Sequence, residues 1–440
     1  MIAKITNVDF KFSLMRNSLF LTACWVIFFP GFFSGDSFAA VEMARTGNLT
    51  NSFTASWAIY VRLFSFFGDA IGLLSLLGGL LLVFASTQFT YSILAKKTAA
   101  ISSFLMTLTP LIWGMGLTLW HDIQMTVGLL LVTAFMVKIR RAELVSKTDI
   151  ATQLILGSLL ISFRPNGLPT LLVFSVLLLL LTRKKVVFTY LLTAISTTVL
   201  ITLIGSNLIL GMSPINNYFA QEWMRNDISC FANLPQGAGF VEENIPGVGN
   251  TETWSSEAAC TFLNQAKVTA EERILAQEFV PAAWVTLAKQ DPLFILSTHV
   301  KRNAYLVPFP LNGLPNPPFL HSTIEYENQG VEWKFPAIAE KARVPMRLWN
   351  ALHGLTAWAG LWSLVTLILL LGFKRKELLA PFLMSISLMG VLFVFAPIPD
   401  GRYGLFVLIV GQIALLGKLI EWAQTGSNRR PTDKEKLPTP

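Results

Sequence analysis

The chain has 440 residues, 53% of them hydrophobic and 14% charged, with a mean hydropathy of +0.56, whereas an ordinary soluble domain carries about 25% charged residues. This composition excludes a soluble globular enzyme and predicts an all-α polytopic membrane protein. The formal net charge of +8 is accounted for by basic loops on the cytoplasmic side of a membrane, and nucleic acid is not expected as a partner.

Uncharged stretches approaching the roughly 20 residues that a span needs lie at about 17–35, 70–95, 98–120, 123–137, 150–163, 165–182, 186–210, 348–373, 378–399 and 403–420. About ten transmembrane helices are therefore predicted. The first follows Lys4, Lys11 and Arg16 and precedes "GDSF" without a small-residue cleavage site, so it reads as a retained span. The stretches 123–137 and 150–163 are short for a hydrocarbon core of about 30 Å and need snorkelling or shielding neighbours.

Basic clusters at Lys96-Lys97, at Lys138, Arg140, Arg141 and Lys147, at 183–185, at 374–376 and at Lys418 all fall on one side of this threading. The positive-inside rule makes that side, and both termini, cytoplasmic. The remaining polar interruptions then share the opposite face: "GDSF" at 35–38, "HD" at 121–122, "RPNG" at 164–167, "PDGRY" at 399–403 and the long segment 211–347. The expected organisation is a transmembrane module at 1–210 whose first outer loop, 34–69, carries amphipathic helices and part of the candidate site. A large non-cytoplasmic loop at 211–347, carboxy-terminal spans at 348–422 and a polar, disordered tail at 423–440 follow.

The long loop carries helix signals. Thr269 and Glu272 form a capping box ahead of "ILAQEFVPAAWVTLAKQ", and Asp291-Pro292 starts "LFILSTHVKRNAYL". Two helices along the membrane surface are predicted, with an irregular segment at 308–319. Cys230 and Cys260 share this loop in an oxidising compartment and are a candidate disulfide, whereas Cys24 lies inside a span.

Charged groups at span ends carry the chemistry to be weighed. Asp36 and Asp122 each sit where an aspartate would also cap a helix. Two carboxylates on one face of an acid-poor bundle must be solvated, paired or used. Glu42 and Asp69 are weaker candidates in the first loop. Arg164, in "SFRPNGLPT", and Arg402, in "PDGRYGLF", lie on the same face, and the guanidinium fork suits phosphate oxygens. His121 and Tyr403 adjoin these groups. His299, Lys301 and Arg302 on the second loop helix would add phosphate contacts there or meet lipid headgroups.

The acid after the first span, the long outer loop, "HDIQMTVGLLLV" opening the fourth span and "GRYGLFVLIV" opening a late one resemble the membrane glycosyltransferases of the GT-C superfamily. The branch of protein O-mannosyltransferases and bacterial aminoarabinose transferases is the nearest in pattern. The resemblance covers mainly 1–210 and 348–420. It implies a sugar taken from a polyprenyl-phosphate carrier at a site facing away from the cytoplasm, with a bacterial plasma membrane as the expected location. It implies Asp36 as the base that activates the acceptor hydroxyl, Asp122 as a positioning acid, and Arg402 as the group neutralising the leaving phosphate. The single acid in Gly35-Asp36-Ser37, where the superfamily often has two together, argues against committing to a metal, although a divalent cation remains compatible.

The expected reaction is an inverting transfer to a lipid, glycan or protein acceptor, with membrane lipids as further partners. No GxxxxGK[ST] or strand-linked GxGxxG motif marks a nucleotide site. A polysaccharide polymerase or ligase, using Arg164, Arg402 and the loop, is the nearer alternative. A lipid-linked sugar transporter is the other, and it would place charges nearer mid-membrane.

Overall fold

The computed structural model describes residues 2–46, 54–65, 71–141, 143–182, 185–204, 221–248, 250–261, 267–307, 332–396 and 401–427. Asp69, residues 183–184, 205–220, 308–331 and 397–400, and the tail from 428 lie outside the described residues, and so do the expectations placed on them. All regular structure among the described residues is helical.

A first helix, α1 (Ile2–Ile27), ends three residues before Pro30 and leads to two shorter helices, α2 (Gly35–Thr46) and α3 (Ala55–Ser65). The chain returns through α4 (Ile71–Ile93) and rises again through α5 (Lys96–Leu108) and α6 (Pro110–Gly116). α5 and α6 meet at 58°. The bend sits at Pro110, which offers no N–H to the preceding turn. The stretch expected as one span at 98–120 is therefore a bent pair of helices.

Next come α7 (His121–Arg140), α8 (Lys147–Asp149), a π-helical turn over Ile150–Ile155, and α9 (Leu156–Ile161). α7 is the centre of the bundle and is buried along nearly its whole length, packed against α4, against α9 and against the last two helices of the chain. This burial answers how so short an apolar run is shielded. The α7 and α9 backbones touch: a Cβ on Gly128 would collide with the Gly157 carbonyl oxygen. Small residues permit such approach, and close packing rather than hydrophobic transfer holds helices together in lipid.

α10 (Gly167–Thr182) and α11 (Lys185–Ile204) complete the first module. Beyond it, α12 (Glu222–Ala232), α13 (Phe240–Asn244), α14 (Thr251–Trp254), α15 (Ala270–Ala276), α16 (Val280–Gln290) and α17 (Pro292–Arg302) surround a separate apolar core that includes Ile228, Phe231, Trp254 and Leu287. The Thr269–Glu272 capping box is present at α15, with two Thr269 hydrogen bonds, the backbone one first, holding the Glu272 carboxyl below its ordinary range. Asp291 caps α17 by accepting from the Phe294 amide at 2.9 Å. The first predicted loop helix is split at Gln277–Phe279 because Pro281 starts a new one. Cys230 and Cys260 are joined as a disulfide.

The last part contains α18 (Pro336–Ala342), α19 (Val344–Ala351), α20 (His353–Thr356), α21 (Ala359–Gly372), α22 (Leu379–Phe395) and α23 (Leu405–Ser427). The apolar stretch 348–373 is not one helix. Residues 304–307 cross it: Trp358 donates to the Val307 carbonyl at 2.6 Å, and a Cβ on Gly360 would collide with that same oxygen.

Among the described residues, four helices are long and apolar enough to cross a membrane, Ile71–Ile93, His121–Arg140, Lys376–Phe395 and Gly401–Thr425, or five if the bent pair is one span. Gly167–Leu181, Phe188–Leu200 and Ala359–Gly372 are shorter and apolar. Ion pairs Lys138–Asp149 and Arg375–Glu421 mark one end of the bundle. The starts of α7 and α23 and the α9–α10 turn mark the other.

Candidate active site

Two chain segments that precede the site are bridged in parallel. Phe32 N–H donates to the Leu117 carbonyl at 3.0 Å, and Leu119 N–H donates to the Phe32 carbonyl at 3.1 Å, pairing Phe32 with Thr118. Each then continues for four residues to an aspartate, Asp36 or Asp122. Ser37 Oγ donates to the Leu119 carbonyl at 2.8 Å, and Trp120 Nε1 donates to Ser34 Oγ. Backbone register therefore sets the two carboxylates side by side.

Asp36 lies in the first turn of α2 with its side chain 44% exposed. Asp122 lies in the first turn of α7 and is wholly buried. Asp122 is not the helix cap expected of it: Trp120 occupies the cap position without a side-chain cap, and the Asp122 oxygens face arginines instead. A negative charge in a first turn is still favoured by the helix dipole.

Arg402 stands in the helical turn Gly401–Gly404 ahead of α23. Its Nη1 is 2.7 Å from Asp36 Oδ2 and its Nε is 3.8 Å from Asp122 Oδ2, so one guanidinium spans both acids. Its plane lies over Trp120, at 4.8 Å from the ring centre. Arg164 pairs with the other Asp122 oxygen and stacks on Tyr403 at 3.9 Å. Arg164 is delivered by the turn between α9 and α10, where a Cβ on Gly167 would collide with the Ile161 carbonyl oxygen. Only glycine allows that turn.

Asp36, Asp122, Arg164, Arg402, Tyr403 and His121 are all expected from the sequence, and the structure brings them together. His121 Nε2 is 3.8 Å from Asp122 Oδ2, and its ring is 6.0 Å from Trp57, which stacks on Tyr60 and meets Phe163. Burial pushes the Tyr60 phenol above its ordinary range. Sequence reading missed Trp120 and Trp57. An aromatic adjoining "HD" at a helix start is a usable signal for Trp120, since arginine stacks readily on indole; Trp57 has no comparable signal. Glu42 is exposed.

The loop cations are placed differently from the expectation. Arg302 is fully buried, donating to Asp227 Oδ1 at 2.9 Å and to the Ala259 carbonyl at 3.0 Å. His299 bonds Asp227 through Nε2 and the Phe393 carbonyl through Nδ1, both at 2.8 Å. Lys301 is exposed on α17. Helix periodicity explains the separation: Arg302 and His299 share the inward face that Lys301 leaves. Among the described residues, no group of three His, Cys, Asp or Glu side chains is placed to hold a metal ion.

No protein-family model and no curated protein sequence matches the chain. Among solved structures, the archaeal oligosaccharyltransferase AglB from Archaeoglobus fulgidus, in complex with an inhibitory peptide and a dolichol-phosphate, aligns over 97% of this chain and 52% of its own, with a TM-score of 0.45 and 13% identity. The chain thus spans about half the length of that protein. ArnT from Cupriavidus metallidurans bound to undecaprenyl phosphate aligns over 96% of this chain and 81% of its own, with a TM-score of 0.40 and 13% identity. The apo state of the same protein gives a TM-score of 0.39 at 13% identity, over 97% and 80% of the two chains.

Proposed function

We propose that the chain is an integral membrane glycosyltransferase that moves a sugar from a polyprenyl-phosphate carrier to an acceptor hydroxyl on the non-cytoplasmic face. The observation that carries this reading is the Arg402 guanidinium shared between a half-exposed Asp36 and a buried Asp122, with Arg164 on the far side of Asp122. Two carboxylates and two guanidiniums balance in charge. An incoming phosphodiester anion competes with Asp36 for Arg402, and on binding it frees the Asp36 carboxylate to act as a base.

In the proposed step, Asp36 accepts the acceptor hydroxyl proton as the hydroxyl oxygen forms a bond to the anomeric carbon from the opposite side. The bond from that carbon to the phosphate oxygen breaks, and its electron pair stays on the phosphate, where Arg402 and Arg164 offset the charge. The anomeric centre inverts. Asp122 remains between the two arginines and fixes their spacing, and Tyr403 and Trp120 hold the guanidinium planes. General-base catalysis of this kind contributes about 10²- to 10⁴-fold. A lipid carrier suits a site at the ends of apolar helices, since its prenyl chain lies in hydrocarbon while the phosphate reaches the edge.

The test is transfer or donor hydrolysis by the purified protein with polyprenyl-phosphate-linked sugars. Asp36→Asn should lose turnover while retaining donor binding. Full activity of that variant removes Asp36 from the mechanism. Cysteine labelling at positions 121 and 375 should proceed from opposite sides of the membrane, and labelling from one side would overturn the assigned face.

A further inference from the structure

Residues 333–355 precede α21 and are pinned to the site end of α1. Lys334 N–H donates to the Phe29 carbonyl at 3.0 Å, and Trp333 Nε1 donates to the Gly31 carbonyl at 3.4 Å. The Trp333 ring meets Phe28 and Phe32 edge-on and carries the Arg343 guanidinium 5.2 Å above it. α19 packs on α6, the upper part of the bent pair. The segment therefore runs beside the ends of α1 and α6 nearest the site.

Its two faces differ in chemistry. Ala339, Met346 and Thr356 are buried toward the protein. Facing away are Ile338, Val344, Leu348, Leu352 and Leu355, each between 48% and 63% exposed. On α19 and after it these recur at spacings of four, four and three, the pattern of one helical face. Lys341 and Arg347 are exposed beside this stripe, with Arg347 paired to Glu340. A contiguous apolar stripe flanked by cations is the composition of a helix lying in a bilayer interface.

The chain itself points to what covers the stripe. Shortly after Thr356 it enters the apolar helix α21, whose Ile368 and Leu371 are likewise exposed. We propose that residues 336–355 form an in-plane membrane anchor, with the leucine stripe at the acyl boundary and Lys341 and Arg347 at the lipid phosphates. The partner is the bilayer, with anionic headgroups favoured by the two cations. This inference rests on the chain spanning a membrane and is independent of the reaction.

Nitroxide labels at L348C and L352C, in a C24S background that keeps the Cys230–Cys260 disulfide, test it in nanodiscs containing anionic lipid. Collision with oxygen should dominate at both positions and collision with a water-soluble nickel chelate should dominate at K341C, giving a severalfold difference in the ratio. Nickel access at 348 and 352 equal to that at 341 would mean that water covers the stripe and would overturn the proposal. Exclusion of both reagents would mean that protein covers it, which overturns the proposal equally.

Discussion

Two buried aspartates of this chain meet arginine in different ways. Asp227 is enclosed: Trp284, His299 and Arg302 all reach it at 2.8 to 2.9 Å, and the arginine is further held by the Ala259 carbonyl. Asp122 is buried just as deeply, yet the Arg402 beside it stands 3.8 Å away and reaches toward a half-exposed second acid. The first cluster ties α12 to α17 and, through His299 and Asn303, to the Phe393 carbonyl on α22. Short bonds from several rigid elements leave it one arrangement. In the second, Asp122 is held closely by Arg164, but its contact to Arg402 is longer and Arg402 has one wet partner, so a new anion can draw Arg402 away.

Substitutions that remove each charge separate these two behaviours. The largest effect is expected from Asp36→Asn, which should lower turnover by about 10²- to 10⁴-fold while leaving thermal unfolding nearly unchanged, as measured by sugar transfer alongside a melting curve. Asp227→Asn should show the reverse. Leaving Arg302 buried without its counter-charge costs about 3 to 5 kcal/mol, read as an early unfolding transition, whereas donor binding by the folded fraction should persist. If Asp227→Asn instead removed turnover without loss of stability, the contrast between a fixed and an adaptable cluster would fail.

Smaller changes sharpen the same contrast. Replacing Cys230 and Cys260 by serine should cost about 2 to 4 kcal/mol of stability in the unit formed by α12 to α17, as the entropy of a closed loop predicts, and protease sensitivity of that unit would report it. Arg164→Lys keeps the charge but loses the planar stack on Tyr403, worth about 0.5 to 2 kcal/mol, and should weaken donor binding in a titration. Lys301→Gln should change stability by less than about 0.5 kcal/mol and leave transfer unaltered. A large loss of transfer in that last variant would return Lys301 to the site.

What could be read from the sequence follows from the cost of charge in an apolar setting. Asp36, Asp122, Arg164 and Arg402 stand out because each interrupts or bounds an apolar run, and threading alone gathers them at one end. Asp227 carries no such mark, since in the polar loop a buried acid looks like an exposed one. The same blindness misplaced Arg302, whose inward orientation depends on a partner 75 residues away. The bend between α5 and α6 has a local cause in Pro110, whereas the break before α21 depends on a crossing by residues 304–307 that apolar periodicity does not encode.

The parallel pairing of Phe32 with Thr118 acts as a ruler shared by two otherwise distant stretches of chain. Because both acids are counted from the same mark, an inserted residue between 118 and 122 would shift Asp122 away from Arg402, and one inserted within the first turn of α7 would turn the rest of that helix by about 100°, given 3.6 residues per turn. Point substitutions can alter what this site does, but a change of chain length on either side of the mark would dismantle it. Tolerance to insertion should therefore be lowest in these two four-residue intervals.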